Sequence, residues 1–219
     1  VVEGAKSVQE LLQSDFELVK LFGTPAFLSE LEVRGQVETL EVSENELAGI
    51  GGFQTNNAAL AIARMKPNNP IAVLKGEFAI VLDDIRDPGN LGTIIRTADW
   101  YGIYKIIAST ETADFYNPKV MNATMGSFTR VQIFYTDLSS FLSPGKGKVL
   151  GAYLDGKDIH SVRFADGGMI VIGNESRGIA PELRKPHVLF DCRFYDSEYA
   201  GGLAPGQNLL LDFLKNGVS

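Results

Sequence analysis

The chain has 219 residues, an apolar fraction of 45% and a formal net charge of −7, enough for one large domain or two small ones with an ordinary supply of core residues. It contains no run of about 18 apolar residues, which excludes a membrane-spanning helix, and no visible secretory signal. The single cysteine, Cys192, excludes an internal disulfide or a cysteine zinc cluster, and two histidines, His160 and His187, are too few for a histidine metal site. The simple expectation is a cytoplasmic protein without metal. The acidic balance argues against a general nucleic-acid binder, which displaces counterions with basic surface. An acidic protein can still carry a local basic patch, drawn here from residues such as Arg64, Lys66, Arg86, Arg96, Arg130 and Arg177.

In chain order, Val1-Val2-Glu3-Gly4 reads as the middle of a strand, which points to residues upstream. Ser7 and Glu10 stand in capping-box spacing and predict a helix start, as do Ser43 and Glu46. Short apolar runs lie at Leu18–Phe22 and Ala26–Leu31, and Ala58–Met65 reads as a strand. This mixture predicts a small α/β domain over residues 1–70. Lys66-Pro67-Asn68-Asn69-Pro70 disfavours helix and strand alike and reads as a linker.

From residue 71 to 219 the pattern repeats strand and helix. Strands are predicted at Phe78–Leu82, Tyr104–Ser109, Val131–Tyr135, Val149–Leu154 and Met169–Gly173. Helices are predicted after Gly92 and at Pro118–Thr124 and Asp137–Leu142. Such alternation predicts a mainly parallel sheet with helices on both faces. The loop 143–148, with its lysines and glycines, lacks the Walker spacing and reads as a plain turn.

The chain is organised around 80–103, IVLDDIRDPGNLGTIIRTADWYGI. An apolar strand ends in Asp83-Asp84, a tight polar loop follows, and Asn90, Gly92 and Arg96 fall on the first turns of the next helix. In open α/β sheets the carboxyl edge of the strands is where ligands bind. An arginine there suits a phosphate, which its fork can hold bidentately.

The spacing Asn-x-Gly-x-x-x-Arg after a strand ending in aspartate resembles the first motif of the SpoU/TrmH family of RNA ribose 2′-O-methyltransferases. The stretch 170–178, IVIGNESRG, resembles the family's Gly-x-Glu-x-x-Gly motif, and Met125-Gly126-Ser127-Phe128-Thr129-Arg130 resembles its Gly-Ser segment. The resemblance implies a C-terminal methyltransferase domain with a trefoil knot. It implies S-adenosylmethionine as methyl donor, ribosomal or transfer RNA as substrate, and a homodimer. Residues 1–70 are similar in order and length to the family's RNA substrate-binding domain, which favours ribosomal RNA.

By that resemblance Arg96, Asn90 and Glu175 are the catalytic candidates. Arg96 would act on the ribose hydroxyl, either as the activating group or, given its high pKa, by positioning a phosphate. Asn90 would orient Arg96 or hold a turn. Glu175 would pair with Arg96. Leu154, Gly173, Gly178 and Gly202 are the cofactor-pocket candidates. The family's third motif is not recognisable: at its expected place stands CRFYDSEYAGGLAPGQN, from Cys192 to Asn208, before a family-like terminal helix at 210–217. That loss leaves a second reading, a catalytically impaired RNA-binding protein on the same fold. A nucleotide-dependent enzyme with a doubly wound sheet is disfavoured by the absence of Gly-x-Gly-x-x-Gly after the first strand.

Overall fold

The N-terminal residues form a two-residue strand, β1 (Val2–Glu3), which turns directly into helix α1 (Ala5–Leu12). Gly4 makes that turn at φ 87°, and its amide donates to the Ala59 carbonyl at 3.0 Å; glycine adopts this conformation without steric cost. The capping box expected at Ser7 and Glu10 is absent, because the backbone has already entered the helix at Ala5 and Ser7 is buried inside it. Strand β2 (Leu18–Gly23), helix α2 (Pro25–Ser29), strand β3 (Glu38–Glu41), helix α3 (Glu44–Ile50) and strand β4 (Ala59–Ala63) follow. Helix α3 carries the reciprocal cap that its spacing predicts. The Ser43 amide donates to Glu46 Oε2 at 2.8 Å, and the Glu46 amide donates to Ser43 Oγ at 3.3 Å. The sheet order is β1-β4-β2-β3, parallel between β2 and β3 and antiparallel elsewhere.

The second sheet is parallel throughout. Its strands are β5 (Phe78–Leu82), β6 (Lys105–Ala108), β7 (Gln132–Tyr135), β8 (Val149–Tyr153), β9 (Lys157–Asp158), β10 (Gly168–Ile172) and β11 (Val188–Asp191), in the order β7-β6-β5-β10-β8-β11-β9. Helices α4 (Pro88–Trp100), α5 (Pro118–Ala123) and α6 (Leu138–Phe141) and a 3-10 turn at Pro181–Arg184 accompany it. This computed structural model describes residues 1–31, 37–52, 55–143, 148–153, 157–158, 167–184 and 188–191. The expected knot involves chain beyond Asp191, which lies outside the described residues.

The two faces of the parallel sheet can be read from strand parity. Ile80, Leu82, Ile106, Ala108, Ile170 and Ile172 join one core with Leu91, Ile95 and Ala98 of α4 and Val120 of α5. The alternate residues Ala79, Val81, Ile107, Met169 and Val171 join a second core with Leu138 and Leu142 and with Ile179 and Leu183. A strand covered on both faces has no polar positions, which is why β5, β6 and β10 read as continuous apolar runs. Helix α4 is capped by Asp87, whose carboxylate accepts the Asn90 amide at 2.8 Å, with Pro88 at the first helical position. It meets α5 at Gly92. A Cβ there would lie 2.5 Å from Ala123 Cβ and 2.8 Å from the Val120 carbonyl oxygen.

The first sheet packs on the second unit through a continuous core in which Val2, Leu11 and Leu21 share a cluster with Phe128 and Val120. Phe16 meets Phe128 edge-on at 5.8 Å. Arg130 grips Asp99 of α4 through Nε and Nη2 (2.7 Å) and also pairs with Glu10 of α1. Gly126, at φ 98°, leaves room for the Glu10 side chain to cross it. The connector 64–77 has no helix or strand, yet it is anchored. The Asn68 side chain bonds both the N–H and the C=O of Tyr135 on the edge strand β7, each at 2.9 Å. The Lys66 ammonium lies 4.3 Å above the Phe16 ring and pairs with Asp15, holding that carboxyl below its ordinary range.

Buried Asp83, the residue after β5, accepts the Ala180 amide on Oδ2 at 2.7 Å and fixes the 3-10 turn under the sheet edge. Burial pushes its carboxyl pKa up, against that hydrogen bond, with Asp84, Glu182 and Glu111 adding repulsion.

Two outcomes follow from this packing. Gly92→Val forces α4 and α5 apart and lowers stability by about 1–3 kcal/mol; urea titration would show an earlier midpoint, and an unchanged midpoint would contradict the close crossing. For Asp83 the folded pKa lies above the unfolded one, so the stability contribution is full below the unfolded value and is lost as pH rises through the folded value. Asp83→Asn keeps an oxygen for the Ala180 amide without the buried charge. Its stability advantage over wild type should grow as pH rises from about 4, and an advantage that does not change between acid and neutral pH would contradict this.

Candidate active site

Strands β5 and β10 are parallel neighbours, with Ile80 paired to Ile170 and Leu82 to Ile172. The chain leaves β5 through α4 towards β6 on one side, and it leaves β10 towards β11 on the other. Their carboxyl ends therefore form the switch point of the sheet, where diverging connections open a crevice. The loop 83–87 that leads into α4 meets the turn 173–180 there through Asp84 and Asn174; the turn carries the second motif, while Asn90, Gly92 and Arg96 of the first lie further on along α4.

Asp84 is the centre of this meeting. It sits at φ 60°, a left-handed conformation uncommon for a side chain other than glycine. Its amide donates to buried Ser109 Oγ at 3.0 Å, and its carbonyl accepts Asn174 Nδ2 at 2.8 Å. Its carboxylate accepts Arg86 Nε at 2.6 Å and also pairs with Arg177. The carboxylate stabilises the Arg86 charge and raises that pKa further. Behind it, Ser109 and Thr112 contact each other at 3.2 Å, and Thr112 accepts the Ile85 amide at 3.3 Å.

Asn174 ties the second motif to this point. While Nδ2 reaches Asp84, Oδ1 accepts the amides of Ser176 and Arg177 at 3.0 and 3.2 Å, and the Asn174 carbonyl accepts the Gly178 amide at 2.8 Å. The turn 174–178 is thus closed on itself. Gly173 is required by that closure: a Cβ would lie 2.3 Å from the backbone of Gly178 and Ile179. Gly178, at φ 69°, has open space where a Cβ would stand. The space a Gly173 side chain would need is thus filled by the chain itself, while Gly173 is half-buried and Gly178 exposed.

The other candidates fall as follows. Asn90 is half-buried in the first turn of α4. Arg96 is exposed two turns further on and makes no hydrogen bond or ion pair with the described residues, although Arg64, Arg86, Arg130 and Arg177 are all paired. Glu175 is exposed on the turn and likewise makes no such contact. The expected pairing of Arg96 with Glu175 is therefore not made within the described chain: α4 carries Arg96 away from the strand ends, and the Asn174 turn presents Glu175 to solvent. Gly92, expected at the ligand edge, is buried against α5 instead. Leu154, Gly202 and the whole stretch 192–208 lie outside the described residues. Among the described residues no group of three or more His, Cys, Asp or Glu side chains is arranged to hold a metal ion, and no helix is long and apolar enough to cross a membrane.

Sequence reasoning missed Asp84, Asn174 and Arg177 as a connected group. Asn174 carried a signal, since an asparagine two residues before a free amide is an Asx-turn former. The left-handed Asp84 carried none, because nothing local distinguishes it from Asp83.

Comparisons with known proteins agree on this architecture. The SpoU rRNA methylase family model matches residues 77–190, just over half of the chain. The 23S rRNA (guanosine(2553)-2′-O)-methyltransferase RlmP of Bacillus subtilis is 25% identical over 187 residues, 84% of this chain and 74% of its own. An rRNA methyltransferase from Sinorhizobium meliloti, solved with AdoMet bound, superposes with a TM-score of 0.78 at 29% identity, covering 97% of this chain and 85% of that one. The SpoU methyltransferase AviRb from Streptomyces viridochromogenes, also solved with AdoMet, shares the fold with a TM-score of 0.77 at 19% identity over 99% of this chain and 88% of its own. With the family model matching over half of the chain and spanning the parallel sheet, the chain belongs to the SpoU rRNA methylase family.

Proposed function

We propose that this chain transfers a methyl group from S-adenosylmethionine to a ribose 2′-hydroxyl of RNA, with ribosomal RNA the favoured substrate, in the cytoplasm. The observation that supports the reading is the attachment of the second-motif turn to the end of β5, the strand that leads into the first motif. Residues 1–70 are proposed to grip the RNA and residues 71–219 to carry out the transfer, although the two share a continuous core.

S-adenosylmethionine supplies an electrophilic methyl on a sulfonium. Gly173 and Gly178 are proposed for one wall of its pocket. Gly178 at φ 69° leaves backbone open to a flat ligand at the switch point, and Gly173 keeps that turn tight. Leu154 and Gly202 are proposed for the remaining walls on family resemblance. The transfer would join the 2′-oxygen to the methyl carbon while the carbon–sulfur pair returns to sulfur as a neutral thioether, and the hydroxyl proton would pass to the RNA phosphate beside it or to water. Arg96 is proposed to hold an RNA phosphate and orient the 2′-hydroxyl beside it. A guanidinium already bound to a carboxylate would have fewer donors for that task, and Arg96 has no such partner among the described residues. Asn90 is proposed to orient the first turn of α4 towards the site. Glu175 is proposed to receive the Arg96 guanidinium once the site is complete.

A homodimer accounts for the separation of those two groups. Arg96 and Glu175 are both exposed and unpaired within the described chain, as they would be if Arg96 of one protomer served the donor site of the other.

Calorimetric titration with S-adenosylhomocysteine is expected to give a dissociation constant of about micromolar strength. Arg96→Ala should preserve that affinity and lower kcat by on the order of a hundredfold. No binding by the folded wild type would leave the RNA-binding reading in front. For the dimer, Arg96→Ala and Glu175→Ala are each expected to be strongly impaired, and mixed protomers to regain activity through the one site that holds both side chains. Mixing without recovery would contradict a site shared between protomers.

A further inference from the structure

We infer that Asp84 is a positioning residue for methyl transfer. It clasps the turn 174–178 to the end of β5 and so sets where Glu175 and Gly178 stand. The inference rests on the activity proposed above, but its physical basis is independent of it.

The first observation is conformational. Asp84 is one of two residues other than glycine at positive φ among the described residues, the second being Met125. A left-handed residue of this kind costs free energy and persists where its surroundings over-determine it. Those surroundings are explicit here. The Asp84 N–H, C=O and carboxylate all bond to other segments: to Ser109, 25 residues away, to Asn174, 90 residues away, and to Arg177, 93 residues away. A right-handed residue would turn the carbonyl and the side chain in other directions and could not serve Asn174 and Arg177 together.

The second observation is the double use of the Asn174 amide. Its nitrogen end is spent on Asp84 and its oxygen end on the Ser176 and Arg177 amides. The internal shape of the turn and its attachment to β5 therefore pass through one side chain. Arg177 closes the loop from the far end by returning to the Asp84 carboxylate. That carboxylate is mostly shielded, with its side chain 14% exposed, while Arg177 is 63% exposed. Exposed ion pairs contribute little to stability. The clasp therefore serves to fix the geometry of the turn more than to hold the fold.

The test uses Asp84→Asn, which tolerates the left-handed backbone and keeps an acceptor but loses the charge, and Asp84→Gly, which keeps the backbone and removes the side chain. Hydrogen exchange of the 174–178 amides is the readout independent of activity. Exchange should speed up in both variants, more in Asp84→Gly, while the β5 and α4 amides and the urea midpoint stay near wild type. Affinity for S-adenosylhomocysteine and kcat/KM should fall by on the order of tenfold to a hundredfold. Adding Arg177→Gln to Asp84→Asn should cost no more than either change alone. Wild-type exchange at 174–178 in both variants, or fully additive losses, would overturn the clasp. If the wild type bound no S-adenosylhomocysteine yet exchange responded as stated, the activity reading would fail and the clasp would stand.

Discussion

The architecture depends on one parallel pairing, β5 against β10. These strands are far apart in sequence, yet five consecutive residues of one face five of the other, Phe78–Leu82 against Gly168–Ile172. The loop after β5 and the turn after β10 meet where the outgoing connections diverge. Two consecutive aspartates secure this meeting from the two faces of the sheet. Asp83 holds Ala180 on the α6 side, and Asp84 holds Asn174 and Arg177 at the edge. Neither interaction is large by itself. Together they tie each end of the second motif to the strand that delivers the first.

The first sheet is bound to this centre by shape and charge at once. Arg130 links Glu10 of α1 to Asp99 of α4, the helix that also carries Arg96. The side chains are partly exposed, so the ion pairs are screened and contribute modestly. The apolar contact of Phe16 with Phe128 and the shared core supply most of the attachment. Their joint effect is to hold α1 and the sheet it packs on against α4.

Much of this was legible in the chain. β5, β6 and β10 are covered on both faces, so their apolar runs leave little ambiguity, and the Ser43–Glu46 cap is a local signal that the structure keeps. The helix start at Ser7 was misplaced because the deciding constraint, the Gly4 turn against Ala59, is a tertiary contact. β11 (Val188–Asp191) and the two-residue β9 went unread, since strands that short carry no period. Asn90, Arg96 and Glu175 are picked out by motif alone. The pairing expected of Arg96 and Glu175 is not made among the described residues, and where α4 and the Asn174 turn aim their side chains leaves no signal in the sequence. The connector around Lys66–Pro70 reads correctly as irregular, but its attachment to Tyr135 depends on a single asparagine finding an open strand edge.

The most direct test of the central claim is the chemical position of the transferred methyl. Unmodified ribosomal RNA transcribed in vitro would be incubated with the protein and methyl-labelled S-adenosylmethionine, then hydrolysed in alkali. A methylated 2′-oxygen cannot attack its own phosphodiester, so 2′-O-methylation leaves the label in an alkali-stable dinucleotide, and that is the predicted result. Label released in mononucleotides would place the methyl on a base and contradict the account.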